Sequence, residues 1–216
     1  MQSGRVLCDL RLNVPLSHAP RLLTLIHQVL ALASTPLDSI ELFAVSQGPG
    51  SFTGLRIGAA TLLGLGHALQ REVVGIDTLE ALAMKACWAP YPVAALLDAR
   101  KGEVFGAIFR GSAAGPQRLT PNLVMSPEAF CANITESTVL LGTGVDVYRS
   151  VWEESLGDLA IFPPPWLGMP CSAEVGTLAF TQATIGHGGE RVAFTPVYVR
   201  PSEAEINWSR RHTHDQ

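Results

Sequence analysis

GPGSFTGLRIG, residues 48–58, is the stretch of this sequence that says most about the fold. The apolar run at residues 42–45 leads into it and predicts a buried strand. The four glycines and one proline of the motif predict a tight turn that runs directly into a helix over residues 52–70, which is rich in small residues. A strand, a glycine turn and a helix in this order can bind an anion at the helix start, or let two backbones approach closely.

The motif matches no standard phosphate-binding loop. A P-loop needs Lys and then Ser or Thr after its second glycine, but Gly54 is followed by Leu55 and Arg56. A Gly-x-Gly-x-x-Gly loop that starts at Gly48 fails at Thr53. Anion binding by backbone N–H groups with help from Arg56 stays open as the weaker alternative. We expect Arg56 to pair with a carboxylate or with backbone carbonyls.

Catalytic groups are sparse in the sequence. Ser51 follows a sharp turn, but Pro49 and Thr53 replace the glycines of a nucleophile elbow, so we predict that Ser51 caps the helix. The six histidines contain no His-x-x-x-His or His-Glu-x-x-His pair, which argues against a zinc or iron site. Asp98 and Arg100 flank a predicted hairpin turn, where Asp usually bonds to its own backbone. Whether Asp98 has a catalytic partner in space stays open.

Composition excludes several classes of function. The formal net charge is −4 and the pI is near 5.8, which argues against unaided binding to nucleic acid. Only 16% of the residues are charged and 47% are hydrophobic, which indicates apolar surface that a partner covers. The four cysteines form no Cys-x-x-Cys pair, and no apolar run reaches the ~20 residues of a membrane span. We therefore expect a cytoplasmic protein with reduced thiols.

Strands and helices alternate along the chain, which predicts an α/β protein in two small lobes. The Trp-Ala-Pro-Tyr-Pro stretch at residues 88–92 separates a predicted N-terminal lobe, 1–90, from a C-terminal lobe, 91–216, with a polar tail. Asp77 and Glu80 have the spacing of a capping box. The predicted strands cover residues 5–14, 42–45, 73–76, 93–97, 103–109, 139–141 and 196–201, and the predicted helices cover residues 17–33, 52–70, 79–87 and 172–183.

Two helices of the first lobe are candidates for contact with a partner. The helix over residues 17–33 carries apolar residues on more than one face, which indicates packing on two sides. The helix over residues 52–70 contains four glycines, each costing ~1 kcal/mol against alanine, so a close approach must compensate. That approach is either to a partner or to the protein's own sheet, and both remain open. The residues predicted to bind a partner are Leu22, Leu25, Ile26, Val29, Gly54, Gly58, Thr61 and Leu65.

A family resemblance rests on the same motif. The run Gly48-Pro49-Gly50-Ser51-Phe52-Thr53, continued through Arg56 to Gly58, resembles the signature of the TsaB (YeaZ) family. Residues 4–6, 17–18, 74–82, 97–103 and 196–200 also match that family in order and spacing, so the resemblance spans roughly residues 4–203. It implies the two-lobed fold of actin, Hsp70 and the sugar kinases, with a ribonuclease-H-like core in each lobe.

The resemblance implies a role without catalysis. TsaB is a relative of TsaD, which transfers the threonylcarbamoyl group to adenosine 37 (t6A) of tRNAs that read ANN codons. TsaD holds a metal with a His-x-x-x-His motif, and this sequence has none. The implied partners are TsaD and the ATPase TsaE, or a second copy of the chain bound through the first lobe. No cofactor is implied for this chain alone, because ATP and metal belong to the partner subunits, and tRNA is bound only by the complex.

Two other functions stay open as alternatives. One is a metal-dependent peptidase, a label once given to the wider family, and it needs a nucleophile–base pair or a metal. The other is a nucleotide-binding, kinase-like protein, which rests on fold alone.

One departure from the family concerns the first lobe. Family members begin with a strand of the type Ile-Leu-Ala-Ile-Asp-Thr-Ser and then a second strand, and neither precedes Gly4 here. We therefore expect the first lobe to lack its first two strands, together with the usual phosphate and magnesium loop of the superfamily. A wrongly assigned start or a truncated chain explains this better than strands supplied by a partner.

Overall fold

The computed structural model describes residues 1, 4–12, 19–169 and 172–185. The strands within these ranges form two separate sheets, so the mixed α/β fold predicted from the sequence is confirmed. The helices are α1 (Ala19–Leu32), α2 (Phe52–Leu69), α3 (Thr78–Met84), α4 (Pro127–Cys131), α5 (Thr143–Val147), α6 (Arg149–Leu156) and α7 (Ser172–Ile185). The strands are β1 (Leu42–Gly48), β2 (Glu72–Asp77), β3 (Val93–Arg100), β4 (Glu103–Ser112), β5 (Gly115–Arg118), β6 (Leu123–Met125), β7 (Thr138–Leu141) and β8 (Ala160–Ile161).

The first sheet consists, among the described residues, of β1 and β2. The two strands run parallel, and Gly48 at the end of β1 lies opposite Asp77 at the end of β2. Helix α2 connects the strands and contacts both of them, because parallel neighbours need a crossover. Helices α3 and α7 also contact this sheet, where Ile76, Ala81 and Leu178 share a small buried core.

The second sheet has the strand order β5-β4-β3-β7-β8, and β6 also pairs with β4. β3 and β4 form the predicted hairpin, whose turn uses three residues with positive φ, namely Arg100, Lys101 and Gly102. Alternate residues of each strand point to opposite faces of the sheet. One face packs on α3, and the other packs on α4, α5 and α6 around the fully buried Trp152.

Helix α3 is buried between the two sheets. Leu79 and Leu82 are buried against the second sheet, and Ala81 is buried against the first. Asp77 caps the helix, since its Oδ1 accepts hydrogen bonds from the backbone N–H groups of Leu79 at 2.8 Å and Glu80 at 3.0 Å. The cap predicted at Asp77 is therefore confirmed.

The structure corrects one predicted strand and adds several elements. Residues 6–12 form no regular strand, and Val6 and Leu7 are both 47% exposed, so the strand predicted over residues 5–14 is wrong there. Two adjacent apolar residues cannot both face a core from one strand, which is why the loose alternation misleads. The predicted residues 13–18 and 196–201 lie outside the described ranges, and the lobe boundary near residue 90 stays a prediction. The elements that the sequence does not predict are β5, β6, β8, α4, α5 and α6.

The N-terminal segment is fastened to the start of α7 by Asp9. Its carboxylate accepts a hydrogen bond from the Ser172 hydroxyl and another from Arg11 Nε at 2.8 Å. Burial raises the pKa of Asp9. The hydrogen bonds from Ser172 and Arg11 and the charges of Arg11 and Lys85 together lower it by more than burial raises it, so the pKa lies below its ordinary value. The ionised form of Asp9 therefore stabilises the fold.

We expect Asp9→Asn to lower the free energy of unfolding by about 1 kcal/mol at neutral pH, because it removes the charge from these hydrogen bonds. The pKa is lower in the folded than in the unfolded state, so the contribution is present above the unfolded-state pKa. It disappears as the pH falls through the folded-state pKa. Urea unfolding of both proteins at neutral and successively lower pH measures this; a difference that does not shrink in acid contradicts the account.

Candidate partner-binding surface

The glycine turn of the motif connects β1 to α2, and the side chain of Ser51 caps the start of the helix. The backbone N–H of Gly54 donates to Ser51 Oγ at 3.3 Å, so the predicted N-cap is confirmed. Gly48 has a φ of 117°, which a residue with a Cβ rarely adopts. Pro49 is buried beside it, whereas a Cβ at Gly50 would have open space. The Ser51 hydroxyl therefore serves the helix start.

Arg56 makes a contact that differs from the expected one. Its guanidinium lies 3.8 Å from the centroid of the Phe52 ring, in a cation–π contact, and the expected carboxylate or carbonyl partner is not the one observed. The two residues are four apart on α2 and thus neighbours on the helix surface. Such a contact contributes roughly 0.5–1 kcal/mol at an exposed site. Thr53 and Arg56 are both exposed, so this part of the motif lies at the surface.

The glycines of α2 have different neighbours. A Cβ at Gly58 would lie 3.3 Å from Val45 Cγ2 of β1, and one at Gly66 would lie 2.5 Å from Val73 Cγ2 of β2. These two glycines let α2 lie close to its own sheet. A Cβ at Gly64 would meet nothing within 4 Å. Internal packing therefore explains Gly58 and Gly66, whereas nothing inside the described chain requires glycine at Gly64.

The side of α2 that points away from the sheet is exposed and carries small and apolar residues. Ala60, Gly64 and Ala68 repeat at every fourth position, and Leu63 beside them is 44% exposed. At 100° per residue, these positions and the exposed Thr53, Arg56 and His67 fall within a strip roughly 140° wide. We call this strip, which consists of Thr53, Arg56, Ala60, Leu63, Gly64, His67 and Ala68, the α2 face.

The residues predicted to bind a partner lie beside the most exposed surface rather than on it. On α2 they occupy a flank roughly 130° around the helix from the centre of the α2 face. The predicted residues of α1, which packs along α2, are partly buried in the same way. The half-buried set is Leu22, Leu25, Ile26, Val29, Gly54, Gly58, Thr61 and Leu65. Their role in binding stays a prediction.

Sequence reasoning missed the apolar side chains that are most exposed on these helices. Leu23 and Leu32 of α1 are 58% and 72% exposed, and Leu63 of α2 is 44% exposed. A leucine that falls off the inward-facing stripe of a helix is the pattern that would have identified them. The inward-facing stripe of α1 is difficult to place from the sequence, because apolar residues occur on most sides of this helix.

Asp98 has spatial partners, and they fix the hairpin. Its Oδ1 accepts hydrogen bonds from the backbone N–H of Arg100 at 2.8 Å and from the Tyr148 hydroxyl at 3.3 Å. Its backbone N–H donates to Thr143 Oγ1 at 3.2 Å. Burial and then the charge of Asp98 raise the pKa of Tyr148 above its ordinary value. The expected bond of Asp98 to its own backbone is confirmed, and the cluster joins β3 to the start and end of α5.

Metal ligands do not cluster in the described part of the chain. There, no three His, Cys, Asp or Glu side chains lie close enough together to hold a metal ion. His18, His187, His212 and His214 lie outside the described ranges, so the absence of a cofactor stays a prediction. Among the described helices, none has the length and apolar character needed to cross a membrane.

Comparison with known protein families identifies the family to which this chain belongs. The family model described as "TsaD: tRNA N6-adenosine threonylcarbamoyltransferase" matches residues 14–208. The chain therefore belongs to this family.

Several relatives of this chain are named TsaB. The "tRNA threonylcarbamoyladenosine biosynthesis protein TsaB" of Escherichia coli is 31% identical over 65% of this chain and 64% of its own length. The protein of the same name from Haemophilus influenzae is 28% identical over 90% of this chain and 83% of its own. YeaZ from Pseudomonas aeruginosa has a TM-score of 0.71 at 28% identity, over 86% of each chain. The resemblance to TsaB (YeaZ) proteins is confirmed.

Two alanine substitutions in α2 distinguish a glycine that packs on the sheet, Gly66, from an exposed glycine, Gly64, by their opposite effects on stability. We expect Gly64→Ala to raise the free energy of unfolding by about 1 kcal/mol, because the helix gains a better former at an open position. Gly66→Ala should lower it by at least about 1 kcal/mol, because its Cβ would lie 2.5 Å from Val73 and 2.9 Å from the Arg71 carbonyl. Urea unfolding of both variants decides this, and a destabilised Gly64→Ala would show that the position is not open in the free chain.

Proposed function

We propose that this chain is the non-catalytic scaffold subunit required for threonylcarbamoylation of adenosine 37 (t6A) in tRNAs that read ANN codons. It acts in the cytoplasm in a complex with TsaD and TsaE and reaches tRNA only through that complex. The observation that carries the proposal is the exposed α2 face, in a chain whose relatives are named as tRNA threonylcarbamoyladenosine biosynthesis proteins.

The two-sheet architecture supports a finer assignment, the two-lobed actin, Hsp70 and sugar-kinase fold. β1, α2 and β2 form a parallel strand–helix–strand unit, and the second sheet carries helices on both faces. Helix α3 joins the two sheets with no loop between it and β2. In this assignment the first lobe presents α1 and α2, and the second lobe holds the β3–β4 hairpin.

The chemistry of the α2 face suits a helix of another protein. Ala60, Gly64 and Ala68 form a smooth strip one turn apart, which allows the backbone of a second helix to come close. Leu63 beside the strip would lose its contact with water there. Glycine at position 64 weakens the free helix without helping its own packing, and a close partner supplies the compensation.

A role without catalysis is supported by the contacts that the candidate polar groups of the sequence already make. Ser51 caps α2, Arg56 lies over Phe52, and Asp98 bonds to the hairpin and to Tyr148. The whole sequence contains no His-x-x-x-His pair of the kind that resemblance assigns to TsaD. We propose that metal, ATP and the transfer reaction belong to the partner subunits.

An acidic substitution on the α2 face tests the proposed contact. We expect Leu63→Asp to weaken binding to the TsaD of the same organism by about 30-fold or more, the loss expected at a central interface residue. The matched control is Leu119→Asp, since Leu119 is 48% exposed against 44% for Leu63 and lies in the second sheet's β5–β6 connection. Calorimetric titration of each variant with TsaD measures the affinities.

The same variants test the function. In a reconstituted reaction that lacks only this subunit, the wild-type chain and Leu119→Asp should restore t6A in tRNA, whereas Leu63→Asp should not at low concentration. Equal affinity of both variants would remove the α2 face from the interface but leave the function standing. A wild-type chain that neither binds TsaD nor restores t6A would overturn the proposed function itself.

A further inference from the structure

The side chain of Asp77 links the first sheet, to which Asp77 belongs, to the edge of the second sheet. Asp77 is the last residue of β2 in the first sheet, and its Oδ1 caps α3. Its Oδ2 accepts a hydrogen bond from Asn122 Nδ2 at 2.6 Å and forms an ion pair with Arg118 Nη2 at 3.2 Å. The Asp77 side chain is only 11% exposed, so water competes little for its carboxylate, whereas Arg118 is 33% exposed.

Arg118 and Asn122 also bind each other, which closes the network. Arg118 Nη1 donates to Asn122 Oδ1 at 2.6 Å, and the guanidinium lies 4.6 Å from the centroid of Phe109 on β4. Arg118 is the last residue of β5, and Asn122 lies in the β5–β6 connection immediately before β6, so both residues are attached to the second sheet. Each of the three side chains therefore contacts the other two.

The neighbouring Glu80 shows why the network needs an arginine. Glu80 lies on the first turn of α3, where burial and then the charge of Asp77 raise its pKa, and Arg118 lowers it. Arg118 therefore offsets the repulsion between two neighbouring carboxylates. Loss of that positive charge would leave Asp77 and Glu80 opposed at the same end of the helix.

The network differs in kind from the other contacts between the sheets. The contacts of α3 with both sheets are made mainly by apolar side chains, and apolar burial has no preferred direction. Hydrogen bonds and a planar guanidinium pair prescribe distances and angles. We infer that Asp77, Asn122 and Arg118 form a latch that fixes the angle between the two sheets. When the latch opens, the sheets shift relative to each other about α3.

The position of the latch gives it a consequence for the placement of α2. Asp77 lies opposite Gly48, which starts the turn into α2. A change in angle at Asp77 therefore moves the start of α2 relative to the second sheet. The latch itself is a property of the free chain and does not depend on the proposed function.

A swap of the two side chains isolates the latch from the helix cap. Asp77→Asn keeps an N-cap residue but places an amide NH₂ group toward Asn122 and Arg118. Asn122→Asp leaves the cap untouched but sets two carboxylates against each other. The double variant, with both substitutions, restores one carboxylate, one amide and the arginine. The control is Arg110→Gln. Arg110 lies on β4 of the same sheet, and the substitution breaks its exposed ion pair with Glu136.

Two measurements on the free chain read out the latch. Hydrogen exchange should become about tenfold faster in residues 78–84 and 119–125 of each single variant, a factor equal to about 1.4 kcal/mol in a local opening equilibrium. Exchange in α4 and α6 should stay unchanged. Spin labels at Glu41→Cys and Ser150→Cys, in a chain without its native cysteines, should give a broader distance distribution in the single variants and the wild-type distribution in the double variant.

The exchange rates and the spin-label distances can support or overturn the latch. Selective exchange, a broadened distance distribution and rescue by the double variant support the latch. Exchange that rises equally throughout the chain, or to the same extent in Arg110→Gln, would show that the network contributes only general stability. A distance distribution unchanged by either single variant would overturn the latch. If a single variant fails to fold, the milder Arg118→Gln replaces it and carries the same two expectations.

Discussion

The burial of α3 between two sheets is the constraint on which the rest of the structure depends. This helix has seven residues, and Leu79, Ala81 and Leu82 are completely buried. Each sheet uses a different side of it as part of its core, so neither core is complete without α3. So short a helix has little stability of its own and needs both tertiary packing and a cap. Asp77 supplies the cap and carries the chain from the first sheet into the helix without a loop.

The small size of the first sheet explains the exposed face of α2. The first sheet has two described strands, and Gly58 and Gly66 bring α2 close against them. A close approach on one side of a helix leaves its opposite side without cover from the same sheet. That opposite side carries Ala60, Leu63 and Gly64, where charged residues would be expected on a helix that only faces water. The low charge fraction of the whole chain, 16%, agrees with a surface that a second protein covers.

Local patterns in the sequence predict the parts of the structure that local forces decide. The turn at Gly48, the cap at Ser51, the cap at Asp77 and the β3–β4 hairpin all follow from residues within a few positions of one another. The contact between Asp77 and Asn122 joins residues 45 apart, and no spacing rule reaches that far. Most elements between residues 115 and 161 also escape prediction, because β5, β6, β8, α4 and α5 have only two to five residues and α6 has eight, and such short elements depend on tertiary packing. The sequence does not show which side of α2 faces outward, because the glycines of this helix lie both against the sheet and on the exposed side.

Hydrogen exchange of the chain alone and bound to its cognate TsaD tests the central claim, that the α2 face is where a partner binds. The account predicts slower exchange across residues 53–68 in the complex, with α6 unchanged as an internal reference. Protection confined to α4 and α6 on the second sheet, with α2 exchanging as it does in the free chain, would contradict it.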